Sequence, residues 1–148
     1  MREDTGNIWT YPADAVVITT NGFVKKNGEA VMGRGCAKEA SIKMPWLPTS
    51  LGLSIKRNGN IVESFGFRKE INKNLMIMPV KHNWWEKADI DLIKSSSFGL
   101  MYIANIYKYN KIVMPRPGCG NGQLDWEDVK PLLEKILDDR FVAITFSV

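Results

Sequence analysis

Twice in this chain a short run of apolar, mostly β-branched residues gives way to glycines and then to a helix-forming segment. The first instance runs from DAVVITTN (14–21) through NGFVKKNGEAVMGRG to CAKEASIKM, where Pro45 stops the helix. The second runs from KIVMP (111–115) through RPGCGNGQL to a stretch in which Trp126, Val129, Leu132, Leu133, Ile136 and Leu137 fall at helical spacing. Uninterrupted apolar runs read as strands covered on both sides. Units that pass from strand to helix build an α/β sheet with helices on its faces.

The rest of the chain fits that pattern. IVESFGF (61–67) and NLMIMPV (74–80) read as strands joined by RKEINK, and FVAITF (141–146) reads as a last strand. KADIDLIKSSSFGLMYIANIY (87–107) predicts a helix weakened by Gly99 and its serines. PWLPTSLGLSIKRNGN predicts loop with at most one short helix. No linker, repeat or low-complexity segment divides the 148 residues, so 1–148 reads as a single domain.

Composition narrows the function. No apolar run approaches the length of a membrane span, and the first residues, MREDTGNIW, lack the basic-then-apolar layout of a secretory leader. Cys36 and Cys119 make no disulfide framework, and together with seven methionines they suit a reducing cytoplasm. With one histidine, His82, and no closely spaced cysteine pair, no metal site is expected. Net charge is +4, from 20 basic and 16 acidic residues. That suits an anionic ligand or a nucleic acid, although the basic residues are scattered apart from Lys25–Lys26 and Lys56–Arg57. Nothing in the pattern dictates an oligomer.

Ligands of α/β sheets bind at the carboxyl ends of strands, beside the loops that enter helices. Both glycine-rich loops have that position. A helix N-terminus offers unpaired N–H groups and partial positive charge to a phosphate, and alternate glycines let successive N–H groups converge on one anion. For one such loop, glycines that merely turn the chain are the simpler account; two in equivalent positions favour a diphosphate ligand. Neither loop carries the nucleotide fingerprints G-x-x-x-x-G-K-[ST] or G-x-G-x-x-G.

VMGRGCA followed by MP, and RPGCGNGQLDW before an amphipathic helix, resemble the two ligand loops of macro domains. The likeness is greatest to the branch containing the terminal ADP-ribose protein glycohydrolase and the antitoxin domains that remove ADP-ribose from DNA. It runs from about Gly6 to the final strand and implies a three-layer α/β/α sandwich with a central mixed sheet, binding ADP-ribose across both loops. The resemblance implies that Asn7 and Ile8, in GNI where the family usually has Gly-Asp-Ile, meet the adenine, and that Asn21 meets the distal ribose. Met32, Gly33, Arg34, Gly35 and Cys36 then pass beneath the diphosphate and distal ribose. Gly118, Cys119, Gly120, Asn121 and Gly122 present backbone N–H groups to the phosphates. Read as residues alone, Asn7 suits a turn and Asn21 a strand end. Arg34 and Arg116 suit either phosphate or simple solubility, and Asp125 suits a helix cap better than a catalytic role.

The resemblance also places chemistry at Lys81, which follows Pro79 and Val80 as a lysine follows a strand-ending Pro-x in the glycohydrolase branch. A lysine there attacks the anomeric carbon of the distal ribose or stabilises the departing group; attack requires a neutral amine. Gly122 stands where the protein glycohydrolase has an aspartate, so this chain follows the DNA-directed relatives more closely. His82, Trp84 and Trp85 flank Lys81, the tryptophans fitting either stacking on a base or packing. The expected activity is hydrolysis of an ADP-ribosyl linkage on protein or nucleic acid, with no cofactor and no metal. Its rivals are an ADP-ribose 1″-phosphate phosphatase, a non-catalytic ADP-ribose-binding module and a nucleic-acid-binding protein.

Overall fold

The apolar runs form the middle of one six-stranded sheet. In the computed structural model, which describes residues 1–146, the strands are β1 (Arg2–Gly6), β2 (Ala15–Asn21), β3 (Glu63–Arg68), β4 (Lys73–Lys81), β5 (Ile112–Met114) and β6 (Phe141–Phe146). Their order is β1-β6-β5-β2-β4-β3. Every neighbouring pair is parallel except β3 against β4, so the sheet is mixed. The helices are α1 (Gly35–Lys43), α2 (Leu47–Asn58), α3 (Ile90–Tyr107) and α4 (Trp126–Ile136).

Because side chains alternate across a strand, the same apolar runs feed two cores. Ala15, Val17, Met76 and Met78 pack with Ile93 and Leu100 of α3 and with Val129 and Leu133 of α4. Val16, Ile18, Leu75 and Ile77 pack on the other face with Ala40 of α1 and with Leu47 and Leu51 of α2. All fifteen are 0–2% exposed, which is why these runs show no polar alternation. Two helices on each face of the sheet complete the three layers.

Three segments differ from their sequence reading. Residues 47–58 form a helix of 12 residues where mostly loop was expected. Pro48 is tolerated because it lies in the first turn, whose N–H groups have no intrahelical acceptor. Gly52 is needed there because a Cβ would stand 2.0 Å from the Gly28 carbonyl oxygen. β1 was not anticipated: REDTG is exposed at four of its five positions, and its pairing with β6 comes from the far end of the chain. Asp125 does precede α4 at the cap position, but its side chain makes no capping hydrogen bond.

The helix read over 87–107 starts at Ile90, capped by Asp89, whose Oδ1 accepts from the Asp91 N–H at 2.9 Å. The residues that weaken its propensity serve packing. Ser96 Oγ donates to the Pro79 carbonyl at 2.7 Å, and a Cβ at Gly99 would come within 3.0 Å of Val62. Among the described residues no helix is long and apolar enough to cross a membrane.

Candidate functional site

β5, β2 and β4 are adjacent and parallel, so their carboxyl ends reach the same edge of the sheet. There they floor a cavity of about 280 Å³, with Thr19, Thr20 and Asn21 ending β2, Val80 and Lys81 ending β4, and Pro115 and Arg116 following β5. One wall is the run from Val31 to Ala37; the other is Gly118, Cys119, Asn121 and Gly122. The two glycine loops, about 85 residues apart in sequence, thus face one another across one space; a Cβ at Gly35 would lie 3.4 Å from Asn121 Nδ2. Gly35, Gly118 and Gly120 have positive φ (57°, 73° and 71°), which L side chains adopt only with strain. At Gly118 space is also closed, since a Cβ would meet Ile93 Cδ1 at 2.7 Å.

The N-terminus of α1 opens into this cavity. Arg34, at its cap position, is extended and gives no side-chain capping bond, and the first turn contains no acid. Gly35, Cys36 and Ala37 of that turn all line the cavity, leaving a positive helix end directed at whatever binds. The segment KKNGEA between β2 and this loop is a small hairpin. Val24 bridges Ala30, Lys25 N–H donates to Glu29 at 2.8 Å, and Ala30 N–H donates to Pro48 of α2 at 2.8 Å.

Lys81 reaches across the cavity. Its Nζ donates to the Asn121 carbonyl oxygen at 3.1 Å and lies 3.5 Å from that of Trp84. Burial, and then the nearby Arg34 cation, pushes its ammonium below the usual lysine range. Both thiols shift the other way. Burial raises Cys36, which shares a 3.4 Å contact with Thr19 Oγ1, and burial also raises Cys119, so neither is an activated nucleophile. Arg116 stacks over Trp126 at 5.0 Å, and its buried Nε has no hydrogen-bond partner among the described residues.

Most of the residues singled out in the sequence meet here: Asn21, Met32, Gly33, Arg34, Gly35, Cys36, Lys81, Gly118, Cys119, Asn121 and Gly122. Three do not line the cavity. Asn7 is occupied in a turn, its Oδ1 accepting from the Trp9 N–H at 2.9 Å and its carbonyl from Thr10 and Tyr11. Ile8 is 8% exposed within the core against α1 and α2, and Gly120 supplies the bend of a 3₁₀ turn. Asn21 lines the cavity with its amide already engaged, donating to Val31 at 3.1 Å and accepting from Phe23 at 2.9 Å. It therefore braces the hairpin. Thr19, Thr20, Val80 and Pro115 were not singled out, a position at or next to a strand end being their signal; Val31 and Ala37 bound the VMGRGCA loop already quoted.

No protein-family model matches the chain. Two curated relatives, from Mycobacterium bovis and Mycobacterium tuberculosis and each named DNA ADP-ribosyl glycohydrolase, are 25% identical over 134 residues. The match takes in 87% of this chain but 36% of each relative, so the chain spans about a third of their length. Among solved structures, the macrodomain of Mycobacterium tuberculosis DarG superposes with a TM-score of 0.82 at 23% identity, over 99% of this chain and 97% of that one. The macrodomain of Thermus aquaticus DarG gives 0.79 at 22%, with the same coverage. Thermosipho africanus DarTG, solved in complex with ADP-ribose, gives 0.81 at 18%, over 97% of this chain and 40% of that one. Superposition over 97–99% of this chain at TM-scores of 0.79–0.82 identifies its fold as that of a macro domain.

Proposed function

We propose that the cavity binds ADP-ribose and that Lys81 cleaves the bond joining its distal ribose to a nucleic acid or protein. The observation that carries this is the position of Lys81 Nζ, held on the second glycine loop while facing the first. The open α1 N-terminus and the glycine loops suit the two phosphates. The names of the curated relatives favour DNA as the carrier. The neutral thiols suit a reducing compartment such as the cytoplasm.

Attack by the Lys81 amine on the anomeric carbon forms a carbon–nitrogen bond and breaks the bond to the carrier. The leaving group takes up the proton that the amine gives up. The sugar ring opens to an imine at Lys81, and water then releases ADP-ribose and restores the amine. A lowered ammonium pKa serves this route because only the neutral amine is nucleophilic. Among the described residues the lining contains no carboxylate and no histidine, which disfavours the phosphatase reading.

Calorimetric titration with ADP-ribose tests binding, with AMP and ribose 5-phosphate as controls. Low-micromolar affinity, about −8 kcal/mol, with clear preference over both fragments is expected. A covalent ADP-ribosyl adduct on Lys81, trapped with cyanoborohydride during turnover, is expected from the chemistry. Absence of heat and of thermal shift at millimolar ADP-ribose overturns the reading.

A further inference from the structure

Three of the five tryptophans are tied down. Trp9, Trp46 and Trp126 donate their indole N–H groups to Glu39, Glu70 and Glu3 at 2.5, 2.7 and 2.9 Å. Trp84 and Trp85 are not: among the described residues neither indole N–H has an acceptor, and the two residues are 50% and 58% exposed. Their rings meet edge to face at 5.5 Å, and Trp85 meets Phe23 edge-on at 5.4 Å. Trp84 also lines the cavity beside Lys81. The three rings therefore form an aromatic shelf that begins where the cavity ends.

The loop bearing the shelf is fastened on several sides. Ala88 N–H donates to Gly122 and Asp89 N–H to Val80, each at 2.9 Å, and Gly22 N–H donates to His82 at 3.1 Å. His82 Nε2 meets Asp89 Oδ2 at 2.8 Å. Large aromatic faces held in water by a braced loop, next to a cavity, mark a binding surface rather than stray exposure. The surroundings select the partner. Lys81 and Arg34 stand within the cavity, and the hairpin that supplies Phe23 carries exposed Lys25 and Lys26. The Lys56 ammonium lies 3.9 Å from where a Cβ on Gly28, at the hairpin tip, would stand. The acids of the two loops, Glu29, Glu86 and Asp89, are outnumbered by these five cations. Such a field repels the guanidinium or ammonium groups of a protein chain and attracts phosphodiesters, while indole faces stack on any base.

We propose that Phe23, Trp84 and Trp85 form a second subsite, outside the ADP-ribose cavity, on which a single-stranded nucleic acid carrying the ADP-ribosyl group stacks a base. This rests on the cavity reading above and adds what lies beyond the scissile bond.

The test compares free ADP-ribose, a short single-stranded deoxyoligonucleotide with one ADP-ribosylated base, and an ADP-ribosylated peptide, measured on the wild type and on Trp85→Ala. Trp85 does not line the cavity, so Trp85→Ala is expected to keep its affinity for free ADP-ribose. Its KM for the modified oligonucleotide is expected to rise at least about fivefold, with little change for the peptide, and Trp85→Phe is expected to restore most of the loss. Tryptophan fluorescence of the wild type is expected to be quenched by the unmodified oligonucleotide in a salt-dependent way. If the wild type binds ADP-ribose but Trp85→Ala affects oligonucleotide and peptide alike, or neither, the shelf is overturned while the cavity reading stands. If the wild type binds no ADP-ribose, both fall.

Discussion

Lys81 Nζ and the carbonyl oxygen of Asn121 lie 3.1 Å apart, joining the end of β4 to the second glycine loop across 40 residues of chain. That contact consumes a carbonyl of the loop and aims the lysine along it. Lys81→Ala is therefore expected to bind ADP-ribose within about threefold of the wild type while hydrolysis falls at least about 100-fold. Lys81→Arg keeps the charge but has no neutral form, and is expected to be equally inactive. Titration calorimetry beside a release assay separates the two effects; equal loss of binding and turnover would sink the assignment.

The pH–rate profile follows from the two causes that lower the Lys81 pKa, burial first and Arg34 second. The neutral amine gains population as pH rises, so kcat/KM is expected to climb along a limb centred below the usual lysine value of about 10.4. Arg34→Ala removes a repelling cation, raises the Lys81 pKa and shifts that limb to higher pH. A limb that stays in place would show that burial alone sets the pKa.

The same shift has a stability consequence of defined sign. Lys81 and the 6%-exposed Lys73, whose Nζ donates to the Trp9 carbonyl at 3.1 Å, both have lowered pKa values through burial. Between their folded and unfolded pKa values the unfolded chain binds more protons, so stability rises with pH across that window. Urea unfolding between pH 7 and 10 is expected to show the rise, and Lys73→Met is expected to flatten it. A slope unchanged by that substitution would remove Lys73 from the account.

Two glycines in the facing loops are expected to part company when changed to alanine. At Gly118 (φ +73°) a Cβ meets Ile93, Leu124 and Ala88, so Gly118→Ala is expected to cost about 1–3 kcal/mol and lower Tm by several degrees. Gly33 has nothing within 4 Å of its Cβ position yet lines the cavity. Gly33→Ala is expected to leave Tm within about a degree and to weaken ADP-ribose binding. Thermal melts and calorimetry on the same two variants check both halves.

Asp89 caps α3 and holds His82 in the loop that follows Lys81. Asp89→Ala is expected to cost about 1 kcal/mol, and Asp89→Ser to recover much of it. The hydrogen bond from His82, followed by the backbone bonds of the cap, holds the carboxyl below its usual range. Its contribution is thus present above the unfolded carboxylate pKa and lost as pH falls through the lower folded value. Acid titration of the stability of wild type and Asp89→Asn is expected to converge at low pH.

The central strands were legible because each side of the sheet is covered, and a strand buried on both faces must be apolar throughout. The strand–glycine–helix order likewise exposed both ligand loops, since a backbone that must turn with positive φ or admit a ligand is restricted largely to glycine. β1 escaped because an edge strand facing water needs no apolar residues; only the pairing of Arg2–Gly6 with β6 makes it a strand. α2 escaped because Gly52 disfavours a helix locally, and its reason for being there, the Gly28 carbonyl pressed against it, lies 24 residues away. By itself the sequence determined the alternation of strands and helices, and hence which loops leave strand ends toward helices. Tertiary structure alone decided that β5, β2 and β4 lie side by side and parallel, which brings Lys81, Arg34 and Asn121 around one cavity. It also placed Asn7 in a turn outside that cavity and left Trp84 and Trp85 in water at its rim, because burial and proximity are set by strand order, and strand order is a non-local property of the chain.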